Sequence, residues 1–132
     1  MTRIDIQTTH SPEMLPITPL VQQTVDTSLI QQGICLIYVP HTTAAVTINE
    51  NADPMVVHDV LHAVNSLIPL RDPEYRHMED NSAAHVKAIL FGASATVLIE
   101  NARLVLGTWQ GIFFCEFDGP RQRHFFVKVM AG

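Results

Sequence analysis

Near residue 93 the spacing of the apolar residues changes from a helical periodicity to short continuous runs, and this change strongly limits the possible folds. Four such runs are rich in β-branched and aromatic residues, and turn-forming residues such as Asn101 and Asp118-Gly119-Pro120 separate them. They occupy residues 95–99, 103–106, 112–117 and 124–129. Successive short strands joined by short turns pair antiparallel, so the second half of the chain predicts an antiparallel sheet.

The first half of the chain mixes strands with helices. Residues 3–9 alternate apolar and polar side chains with period two, and two continuous apolar runs, 34–39 and 44–48, indicate buried strands. Three helices are indicated by a capping residue or a proline at the start and by a glycine or a proline at the end. They run from Thr18 to Gly33, from Asp53 to Pro69 and from Ser82 to Gly92.

These elements predict the fold class α+β. The length of 132 residues suits one core, and the sequence contains no repeat and no linker. We therefore expect a single compact domain over residues 1–132. In it, about seven mainly antiparallel strands form a two-layer, sandwich-like arrangement with about three helices.

Composition excludes several classes of partner. The 13 acidic residues outnumber the 8 Lys and Arg, which are not clustered, so the chain lacks the basic face that binds nucleic acid. No apolar stretch reaches the roughly 18 residues of a membrane span. Cys35 and Cys115 lie inside apolar runs, which is typical of buried thiols in a reducing compartment. With no signal-peptide pattern at residues 1–6, we expect a cytoplasmic protein.

Three of the seven histidines lie outside the periodic faces. His41 follows a buried strand, His77 lies in the long loop 69–81, and His85 is in the first turns of the third helix. Imidazoles from separate elements can form an open three-ligand site for zinc or a similar ion. The alternative for each is an ordinary surface histidine or a hydrogen-bonded core histidine.

The second helix and the turn before it carry further candidates. His58 and His62 are four residues apart, so they share a helix face and can chelate a metal, although we favour a structural role for His62 beside the apolar stripe. For His58 both a functional and a structural role stay open, because Asp59 follows it directly. Glu50 is not needed for any turn, so it is a candidate general base or a partner to a metal-bound histidine; a solvated carboxylate is the alternative.

Other residues suggest recognition of a phosphate and of a ring. The start of the third helix at Ser82 offers free backbone amides to an anion, and Lys87 lies one turn later. Arg121 and Arg123 follow the Asp118-Gly119-Pro120 turn and can clamp a phosphate with two hydrogen bonds each. In the string 107–111, Gly-Thr-Trp-Gln-Gly, Trp109 can stack on a heteroaromatic ring and Gln110 can hydrogen-bond to it. A packing tryptophan at a subunit contact is the alternative.

The order of these strings resembles one known family. They are His41-Thr42-Thr43-Ala44, Asn49-Glu50-Asn51-Ala52-Asp53-Pro54, His58-Asp59, His77, Ser82-Ala83-Ala84-His85-Val86-Lys87 and Gly107-Thr108-Trp109-Gln110-Gly111. The sequence strongly resembles the YjbQ-like, or secondary thiamine-phosphate synthase, family over essentially the whole chain. The Gly-Thr-Trp-Gln-Gly string is the most specific match.

The resemblance implies a homotrimer with sites near subunit boundaries and a divalent metal, zinc first, held by His41, His77 and His85. It also implies an activity that joins a pyrimidine diphosphate to a thiazole phosphate and releases pyrophosphate. We therefore expect a small phosphorylated heterocyclic substrate. The residues we assign to catalysis are Glu50, His58 and Asp59. Those we assign to substrate binding are Thr42, Asn49, Ser82, Lys87, Trp109, Gln110 and Arg121.

The sequence differs from the family pattern at two places, and two other functions are alternatives to this hypothesis. Asp80-Asn81 replaces a small pair before Ser82, and Val57 replaces a basic residue that would contact phosphate. One alternative is a metal-dependent hydrolase of a phosphorylated metabolite. The other is a non-catalytic trimer that binds a metal or a small ligand.

Overall fold

The computed structural model describes residues 1–132 as eight strands and three helices. The strands are β1 (Thr2–Gln7), β2 (Glu13–Pro16), β3 (Gly33–Tyr38), β4 (Ala44–Glu50), β5 (Ser94–Glu100), β6 (Arg103–Leu104), β7 (Gln110–Glu116) and β8 (Gln122–Ala131). The helices are α1 (Thr18–Ser28), α2 (Pro54–Leu67) and α3 (Ser82–Phe91). None of the helices is both long and apolar enough to cross a lipid bilayer.

The strands form two sheets, and every pairing in them is antiparallel. The larger sheet has the order β1-β8-β3-β5-β6, and the smaller has the order β2-β7-β4. This architecture confirms the predicted α+β class. The strand count is eight because β2 pairs with β7 through residues Glu13–Pro16, and the sequence analysis did not predict that strand.

The hydrophobic core has two parts, which lie on the two faces of the smaller sheet. Phe114 of β7 packs in the main cluster with residues of the larger sheet, such as Phe125, and with Val21 and Val25 of α1. Its chain neighbour Phe113 belongs to the second cluster, which includes Ala84 and Ala88 of α3. Successive strand residues point to opposite faces, so β7 separates the two clusters.

The predicted end of α1 and the predicted caps of α1 and α3 are wrong, and the predicted cap of α2 is confirmed. Ile17, not Thr18, occupies the N-cap of α1. Helix α1 ends at Ser28, and Leu29 takes the left-handed conformation there. Gly33 instead begins β3, where an added Cβ would lie within 1.9 Å of the Met130 carbonyl oxygen. Asn81, not Ser82, occupies the N-cap of α3. Asp53 caps α2 as predicted, since its carboxylate accepts a hydrogen bond of 2.9 Å from the Met55 N–H.

Candidate functional site

His41 lies in the turn between β3 and β4, and its ring is held by the backbone of β8. Its Nε2 lies 3.0 Å from the carbonyl oxygen of His124 and 3.1 Å from the backbone nitrogen of the same residue. Either tautomer therefore uses Nε2 on the backbone, and Nδ1 is the nitrogen left for a ligand. Burial, together with the nearby Arg123 guanidinium, lowers the pKa of His41 below its ordinary value of 6.5. The ring is thus held in the neutral form that binds metals.

The other two predicted metal ligands form a pair at the start of α3. The rings of His77 and His85 meet edge to face, with centroids 5.3 Å apart. Glu79 lies beyond them, with its Oε2 3.9 Å from His77 Nε2. The loop 69–81 therefore folds back so that His77 covers His85.

Two shallow depressions lie near the start of α3, and His85 lines one of them. One, of about 260 Å³, is lined by His41, Thr42 and His85 together with apolar residues of α3. The other, of about 290 Å³, is lined by His77, Ser82 and residues of the loop 69–81, among them Arg71. His41 and His77 do not share a depression, and no three potential ligands in one chain lie close enough to hold a metal ion.

The residues predicted to bind the heterocyclic ring of a substrate form a separate cluster. Glu50 pairs across β4 and β7 with Gln110, and Asn49 pairs with Gly111. The Asn51 N–H donates to the Trp109 carbonyl oxygen at 2.8 Å, and 64% of Trp109 is exposed. This ring-facing cluster, residues 49–51 with 109–110, lies at the far end of β4 from His41. Seven strand residues at about 3.4 Å each separate the two ends of β4 by roughly 20 Å.

Glu50 has a structural contact that the sequence analysis missed. Its Oε2 accepts a hydrogen bond from the Asp53 N–H at 3.3 Å, and the Glu50 N–H donates to Asn49 Oδ1 at 2.8 Å. The prediction that no turn needs Glu50 is therefore wrong. Glu50 also lines a depression of about 210 Å³ with Asn51, Asp53 and apolar residues, among them Phe113.

His58, Asp59 and His62 lie together on the exposed side of α2. The rings of His58 and His62 are almost parallel, with an interplanar angle of 3° and centroids 6.5 Å apart. Asp59 Oδ1 lies 3.0 Å from His58 Nδ1. His62 is exposed, so the structural role favoured for it beside the apolar stripe has no support in packing.

The cations predicted to bind phosphate are already engaged within the chain, beginning with Lys87 and Arg121. Only 7% of Lys87 is exposed; its ammonium donates to Asn65 Oδ1 at 2.5 Å, and burial lowers its pKa. Arg121 donates to Asp118 twice, from Nε to the carbonyl oxygen at 2.7 Å and from Nη2 to Oδ2 at 3.1 Å. An anion that binds Arg121 must therefore compete with the Asp118 carboxylate.

Arg123, predicted with Arg121 to clamp a phosphate, is instead 5% exposed and forms a buried ion pair with Glu116 beside His41, so that prediction is wrong. Glu116 is 0% exposed, and its carboxylate accepts hydrogen bonds from Arg123 Nε at 2.9 Å and from Arg123 Nη2. Burial opposes ionisation, but these bonds, the Asp118 N–H and the Thr8 hydroxyl hold the pKa of Glu116 below its ordinary value of 4.5. The signal available in the sequence was a carboxylate that ends the apolar run 112–115, because a buried charge needs a partner.

His124 is a second residue to which the sequence analysis assigned no role. Its ring meets that of His41 edge to face, with centroids 4.8 Å apart, and it also contacts the Phe126 ring. Four of the seven histidines thus form two edge-to-face pairs, His41 with His124 and His77 with His85.

The fold and the site define a class of protein: small α+β domains of two antiparallel sheets that carry paired histidines at a strand end and a helix start. The sequence model of one family, described as "UPF0047 protein YjbQ-like", matches residues 2–132. The chain belongs to this family.

Relatives in other organisms match nearly the whole chain. The UPF0047 protein YugU of Bacillus subtilis is 51% identical and covers 97% of each sequence. A UPF0047 protein of Methanocaldococcus jannaschii is 48% identical over 98% of this chain and 93% of its own. A solved structure of a YjbQ/UPF0047 family protein from Clostridium acetobutylicum is 46% identical, with a TM-score of 0.96 over 98% of this chain and all of the other.

Proposed function

We propose that this protein is a metal-dependent enzyme that joins a pyrimidine diphosphate to a thiazole phosphate and releases pyrophosphate, as a secondary thiamine-phosphate synthase would. The proposal rests on the resemblance of the motifs, and one observation in the structure carries it: His85 lines a depression with His41, and its ring also meets that of His77 edge to face. A divalent metal, zinc first, would be held by these imidazoles.

The donor chemistry of the histidines suits such a metal. A metal-bound histidine typically gives its second nitrogen to a carbonyl or a carboxylate, which fixes the ring. His41 has this arrangement through the His124 carbonyl: in the tautomer that donates its Nε2–H to that oxygen, Nδ1 carries no proton and can bind a metal. When bound, the metal would neutralise the charge of the pyrophosphate leaving group.

We propose that a second copy of the chain completes the site. One chain offers pairs of imidazoles, and the ring-facing cluster lies roughly 20 Å from His41 along β4. Next to His85, the α3 surface exposes Val86, Ile89 and Leu90, which are apolar side chains that a subunit contact would cover. In a homotrimer, the histidines of one copy would then face Trp109 and Glu50 of the next.

The substrate would be divided between the two clusters. The diphosphate would lie at the metal and at the amides around Ser82, with Thr42 beside it and Arg121 released from Asp118. The ring would stack on Trp109, with Gln110, Asn49 and Glu50 positioned for its polar atoms. His58 and Asp59 would contribute from the neighbouring start of α2 as an acid-base pair.

The direct test measures thiamine phosphate formed by purified, untagged protein from both heterocycle substrates, with and without chelator. We expect product that depends on metal and is lost in the His85→Ala variant. The exposed His10, which bonds to Thr9 and Glu13, gives the control His10→Ala, which should keep full activity. If the metal-loaded protein makes no product above the uncatalysed level, the assigned reaction is wrong.

Mixing two inactive variants tests whether the site is shared between copies. His85→Ala and Trp109→Ala damage different clusters, so a mixed trimer regains intact sites wherever the undamaged clusters meet. Random assembly of equal amounts restores about a quarter of the sites when each site draws on two copies. The shared site is contradicted if the mixed variants regain no activity after unfolding and reassembly and the protein has the mass of one 14.7 kDa chain in solution.

The engagement of Lys87 and Arg121 inside the chain favours a second candidate function. A protein whose cations are already paired is better suited to hold a metal or a small neutral ligand than to turn over a diphosphate. This candidate predicts bound metal and ligand-raised melting temperature without product. Phosphate release from a panel of phosphorylated metabolites would instead indicate the hydrolase.

A further inference from the structure

The buried Glu116–Arg123 pair has more partners than a simple internal ion pair needs. Besides each other, the two side chains bond to Thr8, Thr43 and the backbone of Asp118. These three partners belong to three separate segments: the residues after β1, the turn before β4 and the turn between β7 and β8. Two of those segments lead directly to histidines of the candidate site.

The first connection leads to His41. Arg123 Nη2 donates to Thr43 Oγ1 at 2.8 Å and reaches the Thr43 carbonyl oxygen at 3.4 Å, while the Phe117 N–H donates to the same carbonyl at 3.1 Å. Thr43 is itself buried and lies two residues from His41 in the same turn. The guanidinium therefore fixes the backbone that carries the His41 ring.

The second connection leads to His85. The Asp118 N–H donates to Glu116 Oε2 at 2.9 Å, and Asn81 Nδ2 donates to Asp118 Oδ2 at 2.8 Å. Asn81 is the N-cap position of α3, and its backbone carbonyl accepts the His85 N–H at 3.4 Å. The carboxylate of Glu116 is thus joined through two residues to the turn of α3 that carries His85.

The orientation of the Asn81 amide supports a constraint at this point. Asn81 Oδ1 is buried and has no hydrogen-bond partner. Buried acceptors without a donor are rare, because each one costs free energy. Turning the amide over would place Oδ1 against the Asp118 carboxylate, so the contact with Asp118 fixes the unsatisfied orientation.

We propose that the buried Glu116–Arg123 pair is a positioning device that sets the separation of His41 and His85, through Thr43 on one side and through Asp118 and Asn81 on the other. The inference rests on the proposed function for its purpose, but its geometry is independent of which metal or reaction the site serves. Residues on a turn and on a helix start have no shared backbone to fix their distance. A buried bidentate pair supplies that rigidity.

Two variants cut the two connections and leave the ion pair in place. Thr43→Val removes the hydroxyl that Arg123 contacts, and Asn81→Ala removes the amide that holds Asp118. The measurements are zinc affinity and the side-chain ¹⁵N spectra of the imidazoles. Removal of a group that orients a ligand typically weakens metal binding about 10- to 100-fold, and we expect each variant to show a loss in this range.

The spectra distinguish a positioning role from general damage. Thr43→Val should shift the imidazole signals of His41 and leave those of His85 in place, and Asn81→Ala should do the reverse. Thr43→Ser keeps the hydroxyl and should restore both the zinc affinity and the His41 signals. As a matched control, Thr27→Val removes an exposed hydroxyl that bonds only to the Gln23 carbonyl, and it should change neither.

The possible outcomes separate this inference from the proposed function. If the wild-type protein binds no zinc, the metal proposal fails and the spectra alone decide the positioning role. If both variants disturb both histidines equally, or neither, the inference is overturned. It is also overturned if Thr43→Ser behaves like Thr43→Val, because the hydroxyl is then not the group that acts.

Discussion

Replacing Arg123 by Met tests whether the buried Glu116 carboxylate depends on its cation for stability. The change leaves Glu116, which is 0% exposed, without its cation and with two of its four hydrogen-bond donors, the Asp118 N–H and the Thr8 hydroxyl. Removing one partner of a buried ion pair costs about 3–5 kcal/mol. For a domain of this size, that loss lowers the melting temperature by about 10 to 20 °C.

The dependence of this loss on pH has a definite sign. In the wild-type protein the pKa of Glu116 is held below 4.5, so the carboxylate stabilises the fold at neutral pH, and that contribution disappears as the pH falls through the lowered pKa. In Arg123→Met, burial without a cation raises the pKa of Glu116, and the penalty is relieved when the acid takes up a proton. The difference in unfolding free energy between the two proteins should therefore be larger near pH 7 than near about pH 4.5.

Urea unfolding at both pH values, at one fixed protein concentration, measures the effect. The double variant Glu116→Leu/Arg123→Met removes both charges and should recover most of the loss, to within about 2 kcal/mol of the wild type. A loss below about 1 kcal/mol in the single variant, equal at the two pH values, would show that Glu116 is not a desolvated carboxylate.

Three smaller predictions concern thiol reactivity and stability. Burial raises the pKa of Cys35 to about 11 and that of Cys115 to about 12, so neither thiol should react with a disulfide reagent at pH 8 until the protein is unfolded. Asp53→Ala removes the cap of α2 and should cost about 1 kcal/mol in urea unfolding. Gly111→Ala would place a Cβ 2.6 Å from that of Asn51, and it should lower stability by about 1–3 kcal/mol, a loss that calorimetry can measure.

Local signals were sufficient to predict most of the elements. Asp53-Pro54 carries both an N-cap and a first-turn proline, and α2 begins there. The weakest signals failed, as in β2, which is four residues long and ends on Pro16. A short strand with a proline lacks the alternating pattern of longer strands, and it persists as a strand at the sheet edge because β7 pairs with it.

The candidate site was less predictable than the fold because its residues come from distant segments. Sequence position shows that His41 precedes β4 and that Glu50 ends it, and the length of an extended strand alone already separates the two groups. Proximity between distant residues could not be predicted in the same way, because no local sequence pattern indicates that His77 folds back onto His85. Nor does the sequence show that Glu116 at the end of an apolar run is paired with Arg123, which lies seven residues further along the chain.

The positions of the cations limit the ways in which a chain of net charge −5 can bind an anion. Five of its eight permanent cations lie in ion pairs with carboxylates; these are Arg3, Arg71, Arg76, Arg121 and Arg123. Lys87 is buried against Asn65. The remaining two, Arg103 and Lys128, do not line the depressions at the histidines. A diphosphate bound there must therefore displace a carboxylate or find its positive charge in the helix start and in an ion held by the histidines. If the proposed reaction is correct, chelation should abolish substrate binding and not only turnover, because the ion supplies the attraction that the net charge opposes.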